Sequence, residues 1–215
     1  MERKYTTKYA IAIIIAMVLA LMPLLTSCGS KEGDSPKTVT KEFLEAIRHG
    51  DTANFADYYV ISPGAFNFTD RGGIIVGDID HKLAEEMYDR LTTFEYKIGA
   101  ESISKSGDKA TVKVSLKTYA YGNAVKAAVG EIAEEVMAKE RISETHDTDG
   151  TTAIYTKYIN STNRDYEVKD DLKLVKVDGR WKVDTMTLSD PFVDDFTGGL
   201  VSATKAINEI FGAYE

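Results

Sequence analysis

The stretch Asp171-Leu-Lys-Leu-Val-Lys-Val-Asp-Gly-Arg-Trp-Lys-Val-Asp184 decides the fold. Apolar and polar residues alternate on both sides of Asp178-Gly179. An Asp-Gly pair between two alternating runs marks a tight β-hairpin, because both turn residues need a positive φ. The inward phase slips in each run. Leu172 and Leu174 give way to Val175 and Val177, and Trp181 and Val183 give way to Met186 and Leu188. Slips in paired strands predict bulges, which bend and twist a sheet. A second hairpin lies upstream. Phe94, Tyr96, Ile98 and Ala100 alternate, as do Ala110, Val112, Val114 and Leu116, with Ser106-Gly107-Asp108 between the runs. Thr111, Lys113, Ser115 and Lys117 fill the other phase, so one face meets the core and the other meets water.

Helical periods surround these strands. Ser35-Pro36 reads as a helix start, and Val39, Phe43, Leu44 and Ile47 follow at helical spacing up to Gly50. Asp51 caps a second helix, on which Phe55 and Tyr59 share a face. Ser62-Pro63-Gly64 reads as a turn, and Ala65 to Gly77 as irregular chain. Asp78 or Asp80 caps a third helix with Leu83, Met87 and Leu91 in one stripe. A helical insert over about 122–162 shows Val125, Val129, Ile132, Val136 and Met137 on its inner face and breaks at Gly150. A shorter helical stretch from Thr151 follows. Residues 190–215 form an amphipathic helical tail through Phe192, Phe196, Leu200, Ala203, Ile207 and Ile210, weakened by Gly198-Gly199.

The chain opens with Arg3, Lys4 and Lys8, followed by 16 uncharged residues from Ala10 to Leu25. A spanning helix needs about 20 residues, whereas a basic start, a short apolar middle and small residues at the end describe an export signal. Leu25-Thr26-Ser27-Cys28 then resembles the lipobox of bacterial lipoproteins. That resemblance implies a signal peptide over 1–27, cleavage before Cys28 and a diacylglyceryl group (typically palmitate-bearing) on its sulfur. Two acyl chains suffice for stable anchoring. Residues 28–35 form a small, polar tether reaching roughly 15 Å. The plainer alternative is an uncleaved anchor helix with an incidental cysteine.

Removal of residues 1–27 takes three basic groups and one acidic group, so net charge moves from −8 to −10. A chain this acidic repels phosphate backbones, which argues against nucleic acid as a partner. The remaining 188 residues are enough for one domain with a real core. Cys28 is the only cysteine, so packing rather than a disulfide must supply stability.

Three helices, a hairpin, a helical insert and a second hairpin ending in Gly179-Arg180-Trp181-Lys182-Val183-Asp184 resemble the cone-shaped fold of the nuclear transport factor two-like superfamily. More closely, the chain resembles uncharacterised Gram-positive lipoproteins, through the lipobox, Phe43 to Asp51, Asp178 to Val183, and Thr197-Gly198-Gly199-Leu200. The resemblance implies an α+β class: a curved antiparallel sheet packed on N-terminal helices over 36–189, with a helical insert and a C-terminal helix. It also implies a pocket between the sheet and the first helices. It supplies no catalytic residues.

Candidate chemistry is sparse. His49, His81 and His146 each read as surface residues. Asp147-Thr148-Asp149-Gly150 lacks the glycine and glutamate positions of a calcium loop. His81 and Glu85 share a helix face, but two ligands do not make a metal site. No nucleophile elbow, zinc-protease motif or phosphate-binding glycine loop occurs. The expectation is therefore no catalytic residue, no metal and no cofactor. Aromatics are the remaining signal. Tyr58, Tyr88, Phe94, Tyr96, Tyr119 and Trp181 fall on elements that would surround the cone, where tyrosine presents both ring and hydroxyl to a ligand; ordinary core packing is the competing account. The sequence thus points to a lipid-anchored protein on the outer face of the cell membrane. Its expected role is a non-enzymatic binding or accessory module for an envelope protein or small apolar ligand. An isomerase- or cyclase-type enzyme and a structural assembly protein stand as alternatives.

Overall fold

A computed structural model describes residues 34–71, 81–140 and 148–212. The export signal, Cys28, most of the tether, the Asp78 and Asp80 caps, His146 and Asp147 lie outside those residues. The chain divides into two units, Met1–Gly33 and Asp34–Glu215; the second is described here.

Its first helix, α1 (Pro36–His49), forms where the sequence places it. Ser35 is the N-cap and accepts the Thr38 N–H, and Pro36 opens the first turn. Gly50 closes the helix at φ 62°, a left-handed position that suits glycine. Val39, Phe43, Leu44, Ala46 and Ile47 are buried on one face. Asp51 then holds the N–H of Asn54 rather than capping the helix directly, and α2 is a single turn, Phe55–Tyr58. In α3 (His81–Leu91) the stripe Leu83, Met87 and Leu91 is buried.

Four antiparallel strands follow: β1 (Glu95–Ile103), β2 (Lys109–Thr118), β3 (Tyr166–Val177) and β4 (Arg180–Val183), ordered β1-β2-β3-β4. Between β2 and β3 lie α4 (Tyr121–Glu140) and α5 (Thr148–Ser161). After β4 come α6 (Pro191–Phe196) and α7 (Leu200–Gly212). The described residues thus form an α+β unit with seven helices and one sheet. Asp178 (φ 51°) and Gly179 (φ 80°) make the expected turn between β3 and β4.

Several expectations are corrected. The register of the last hairpin is regular, and the irregularity lies in β1, between Ile98 and Glu101. Val175 and Val177 are half-buried because they end a strand at the hairpin tip, not because a bulge turns them. The bulge also leaves Ala100 exposed. β3 begins at Tyr166, five residues before the quoted stretch, because Tyr166 and Val168 continue its inner phase. Met137 and Leu188 are 56% and 55% exposed, so neither is a core residue. Gly150 lies within the first turn of α5 rather than at a break.

The tail is two helices. Gly198 and Gly199 hold φ of 67° and 78° and divide α6 from α7. The Gly122 N–H donates to the Gly198 carbonyl at 2.9 Å. A Cβ on Gly122 would overlap the Gly199 carbonyl oxygen, and one on Gly198 would overlap that of Tyr119. Two stretches of backbone far apart in sequence therefore touch directly, and only glycine permits it.

Aromatic rings fill the space between the sheet and α1. Phe68 sits at their centre, with ring centroids at 4.8 Å from Phe66, 5.4 Å from Phe43, 5.5 Å from Phe196, 5.7 Å from Tyr59, 6.1 Å from Phe192 and 6.4 Å from Phe55. The Tyr59 hydroxyl donates to the Met186 carbonyl at 3.1 Å and accepts the Met186 N–H at 3.0 Å, pinning the chain after β4.

Phe68→Ala is expected to cost about 3–5 kcal/mol, against about 0.5 kcal/mol or less for exposed Ile61→Ala; urea midpoints measure both. Gly198→Ala is expected to cost about 3 kcal/mol, because overpacking and a positive φ act together. An unchanged midpoint for Gly198→Ala would count against the close approach.

Candidate functional site

The six aromatics singled out from sequence lie in separate places. Tyr88 and Phe94 belong to the core. The buried Tyr88 hydroxyl donates to the Phe68 carbonyl at 3.0 Å, and burial pushes its phenol pKa up. Phe94 packs on Phe196 at 5.7 Å. Tyr96 donates to Glu45 on α1 at 2.5 Å. Burial and that carboxylate push the Tyr96 phenol up to about 12, while the same hydrogen bond lowers Glu45. Tyr58 is partly buried against the core. Trp181 lies on the core face near the hairpin tip, with the Lys176 ammonium 4.9 Å from its ring.

Tyr119 has a different role. Its ring stacks on Tyr121 at 5.7 Å and has two guanidinium groups within reach of its π face, Arg90 at 4.3 Å and Arg164 at 5.4 Å. Burial raises its pKa, but hydrogen bonds from Arg164, Arg90 and Thr93 outweigh that and leave it lowered. Arg90 also donates to the carbonyls of Ile159 and Thr162, at 2.8 and 2.6 Å. A cation on the open carbonyls of a helix end satisfies both its dipole and its orphan acceptors. This cluster fastens α5 to the rest of the unit. It is a structural latch, for which the Tyr-x-Tyr pattern was the only signal in the sequence.

Among the cavities lined by described residues, three bear on the sheet. One, of about 230 Å³, runs along the edge of β3 beyond the end of β4 and is lined by Asp170, Asp184 and Asp190 among others. Each of these carboxylates accepts a backbone N–H, from Asp171, Thr185 and Phe192 respectively. Nearby, burial pushes the Asp195 carboxyl up to about 6, helped by Asp170 and Asp194, while Tyr166 acts in the opposite direction. Asp195 lines none of the three cavities. Among the described residues no cluster of histidine, cysteine and carboxylate side chains could hold a metal ion.

The other two cavities lie on the sheet face turned away from the core. One, of about 610 Å³, is lined by Glu95, Lys97, Ser115, Lys117, Glu167 and Lys169, with backbone of the intervening residues. The second, of about 470 Å³, adds Gly99, Lys113 and Asp171. They share Ser115 and Lys169 and so form one trough. Register sets its rows. Glu95, Lys117 and Glu167 lie abreast, then Lys97, Ser115 and Lys169, then Lys113 and Asp171. The outer rows are paired: Lys117 with Glu167 at 2.9 Å, Glu95 with Arg164 at 3.2 Å, and Lys113 with Asp171 at 3.0 Å. The hydrogen bond that Lys117 donates to Glu167 lowers the Glu167 pKa and raises that of Lys117. Sequence reading saw Lys113, Ser115 and Lys117 as a wet face. It missed the row across three strands, which only register creates.

His49 and His81 are exposed, each beside a carboxylate on its own helix, Glu45 and Glu85. No helix among the described residues is long and apolar enough to cross a membrane. Comparison with known protein families, curated proteins and solved structures finds no match to this chain.

The raised Asp195 sets a pH dependence. Between its unfolded value near 3.8 and its folded value of about 6 the native state holds a proton that the unfolded state has lost. This group therefore lowers stability as pH rises through that window. Asp195→Asn is expected to raise the urea midpoint at pH 7 and to change it little at pH 4; equal shifts at both would exclude the effect.

Proposed function

We propose that this protein is a lipid-anchored, extracytoplasmic module of the bacterial cell envelope that binds through the outer face of its sheet and performs no catalysis. The observation that carries the binding reading is the pairing of a filled interior with an open polar trough. Phe43, Phe68, Phe94, Phe192 and Phe196 occupy the space where the resemblance implies a ligand pocket, whereas among the described residues no element covers the trough on the outer face of β1, β2 and β3. A general acid or base must reach the reacting proton. Asp195 has a suitable pKa but opens onto none of the described cavities, which disfavours the isomerase or cyclase alternative. The order of helices, hairpin, helical insert and hairpin supports a nuclear transport factor two-like fold of a form whose interior is closed by Phe66 and Phe68. A filled interior equally favours a structural assembly role, in which α7 and the insert helices meet a protein partner.

The anchor reading rests on Arg3 to Lys8, the apolar run to Leu25 and the Leu25-Thr26-Ser27-Cys28 sequence. Expressed in a bacterial host, the wild-type chain is expected to take up labelled palmitate and to fractionate with membranes, with residues 1–27 removed. Cys28→Ser is expected to lose the label. Wild-type protein that keeps residues 1–27 and takes up no label would refute the anchor.

A further inference from the structure

We propose that the Lys97–Ser115–Lys169 row is a binding site for a single phosphate group, carried as a phosphate monoester on a small polar molecule. This rests on the reading of the outer sheet face as the binding surface and names its ligand class. The three residues lie abreast on adjacent strands, since Lys97 pairs with Ser115 and Ser115 with Lys169. Neighbouring strands are about 4.8 Å apart. Each lysine stem therefore starts one strand from Ser115, and both ammonium groups reach an anion seated over its hydroxyl. Among the described residues neither Lys97 nor Lys169 is in a close ion pair, unlike Lys113 and Lys117 beside them, although Glu167 in the next row attracts Lys97 at longer range. These two cations stand in the part of the trough that both cavities share or border.

The surroundings select the ligand. Two ammonium groups and a hydroxyl offer donors from three directions to a tetrahedral dianion, with lysine acting as a point charge. Among the described residues no arginine lines the trough to grip a planar carboxylate in two-pronged fashion. A long polyanion is disfavoured, because its next charges would meet Glu95 and Glu167 on one side and Asp171 on the other. A lipid headgroup is disfavoured too. Among the described residues the exposed large apolar ones are Ile61, Ile103, Met137, Leu188 and Ile210, and none of them lines the trough, so acyl chains find no seat on them there. The bulge at Ile98 to Glu101 and the missing side chain at Gly99 keep the trough open above Lys113.

The test uses the full chain in non-ionic detergent at low salt. Backbone amide shifts are followed while inorganic phosphate, glycerol phosphate or succinate is added. Phosphate and glycerol phosphate are expected to saturate with millimolar-order affinity, with the largest shifts at Lys97, Ser115 and Lys169. Lys97→Gln and Lys169→Gln are each expected to weaken binding about tenfold. Lys173→Gln, on the same face but outside the trough, should leave it unchanged. Circular dichroism melts confirm that each variant is folded. Preferential saturation of the row by succinate would overturn the phosphate assignment while leaving the binding face intact. No saturable shift with any probe would remove both. Phosphate affinity equally reduced by Lys173→Gln would show diffuse charge attraction and overturn the site. Binding to phosphatidylglycerol vesicles in preference to glycerol phosphate, lost in Lys97→Gln, would replace the soluble ligand by a membrane surface.

Discussion

Everything in the unit is organised around Phe68, a ring on irregular chain that six other aromatic rings enclose. It draws together α1 through Phe43, α2 through Phe55, the residue after α2 through Tyr59, and α6 through Phe192 and Phe196. Aromatic pairs of this kind add about 0.5–1.5 kcal/mol each beyond the area they bury. The more important consequence is spatial. Phe66 and Phe68 are delivered by irregular chain, 4.8 Å apart with edge-to-face geometry. The irregular segment works as a plug, held from behind by the Tyr88 hydroxyl on the Phe68 carbonyl. With the plug in place, the concavity of the sheet is core rather than pocket.

A filled interior moves the question of function to surfaces. The sheet packs its inner face on helices and leaves its outer face to water, as an antiparallel sheet can. On that face most charge is already neutralised, by Lys113 with Asp171, Lys117 with Glu167 and Glu95 with Arg164. Exposed pairs like these contribute little stability. They do shape the local field, because they leave Lys97 and Lys169 as the trough's cations outside any close ion pair among the described residues, with Glu167 acting on Lys97 only from the neighbouring row. A chain of net charge −8 thus presents a small cationic spot within an acidic surround. Long-range repulsion and short-range attraction then act together, which favours small anions over extended ones.

How much of this was legible in the sequence depended on whether the cause was local. The α1 caps at Ser35 and Gly50, the Asp178-Gly179 turn and the inner face Ala110 to Leu116 are local chemistry, and all appear as read. The Val175 and Val177 slip looked like a bulge because periodicity records exposure, and strand ends are exposed without being bulged. Leu188 and Met137 were assigned inward on period alone, although chain ends and the far end of a long helix escape the core. Phe66 and Phe68 could be seen to alternate, but irregular chain has no period that says what it faces. Most of the candidate site was illegible, because Lys97, Ser115 and Lys169 become neighbours only through the register of two strand pairs.

Gly198-Gly199 shows the same limit most sharply. Within a helical pattern, a glycine pair reads as a weakness. In the folded unit those residues end one helix, start another and touch the backbone at Tyr119 and Gly122. That contact sets where α7 lies on α4, and the Arg90–Tyr119–Arg164 stack beside it sets where α5 lies. Tyr119 serves both, its carbonyl crowding Gly198 and its ring meeting both guanidinium groups. The insert and the tail are therefore positioned from one short segment at the end of β2. Because β2 is also the central strand beneath Ser115, the segment that fastens the helices is continuous with the strand that floors the trough. From Lys117 to Ser115 that strand is paired on both sides, with β1 and with β3, so the row of side chains at its middle stands on backbone held from two directions.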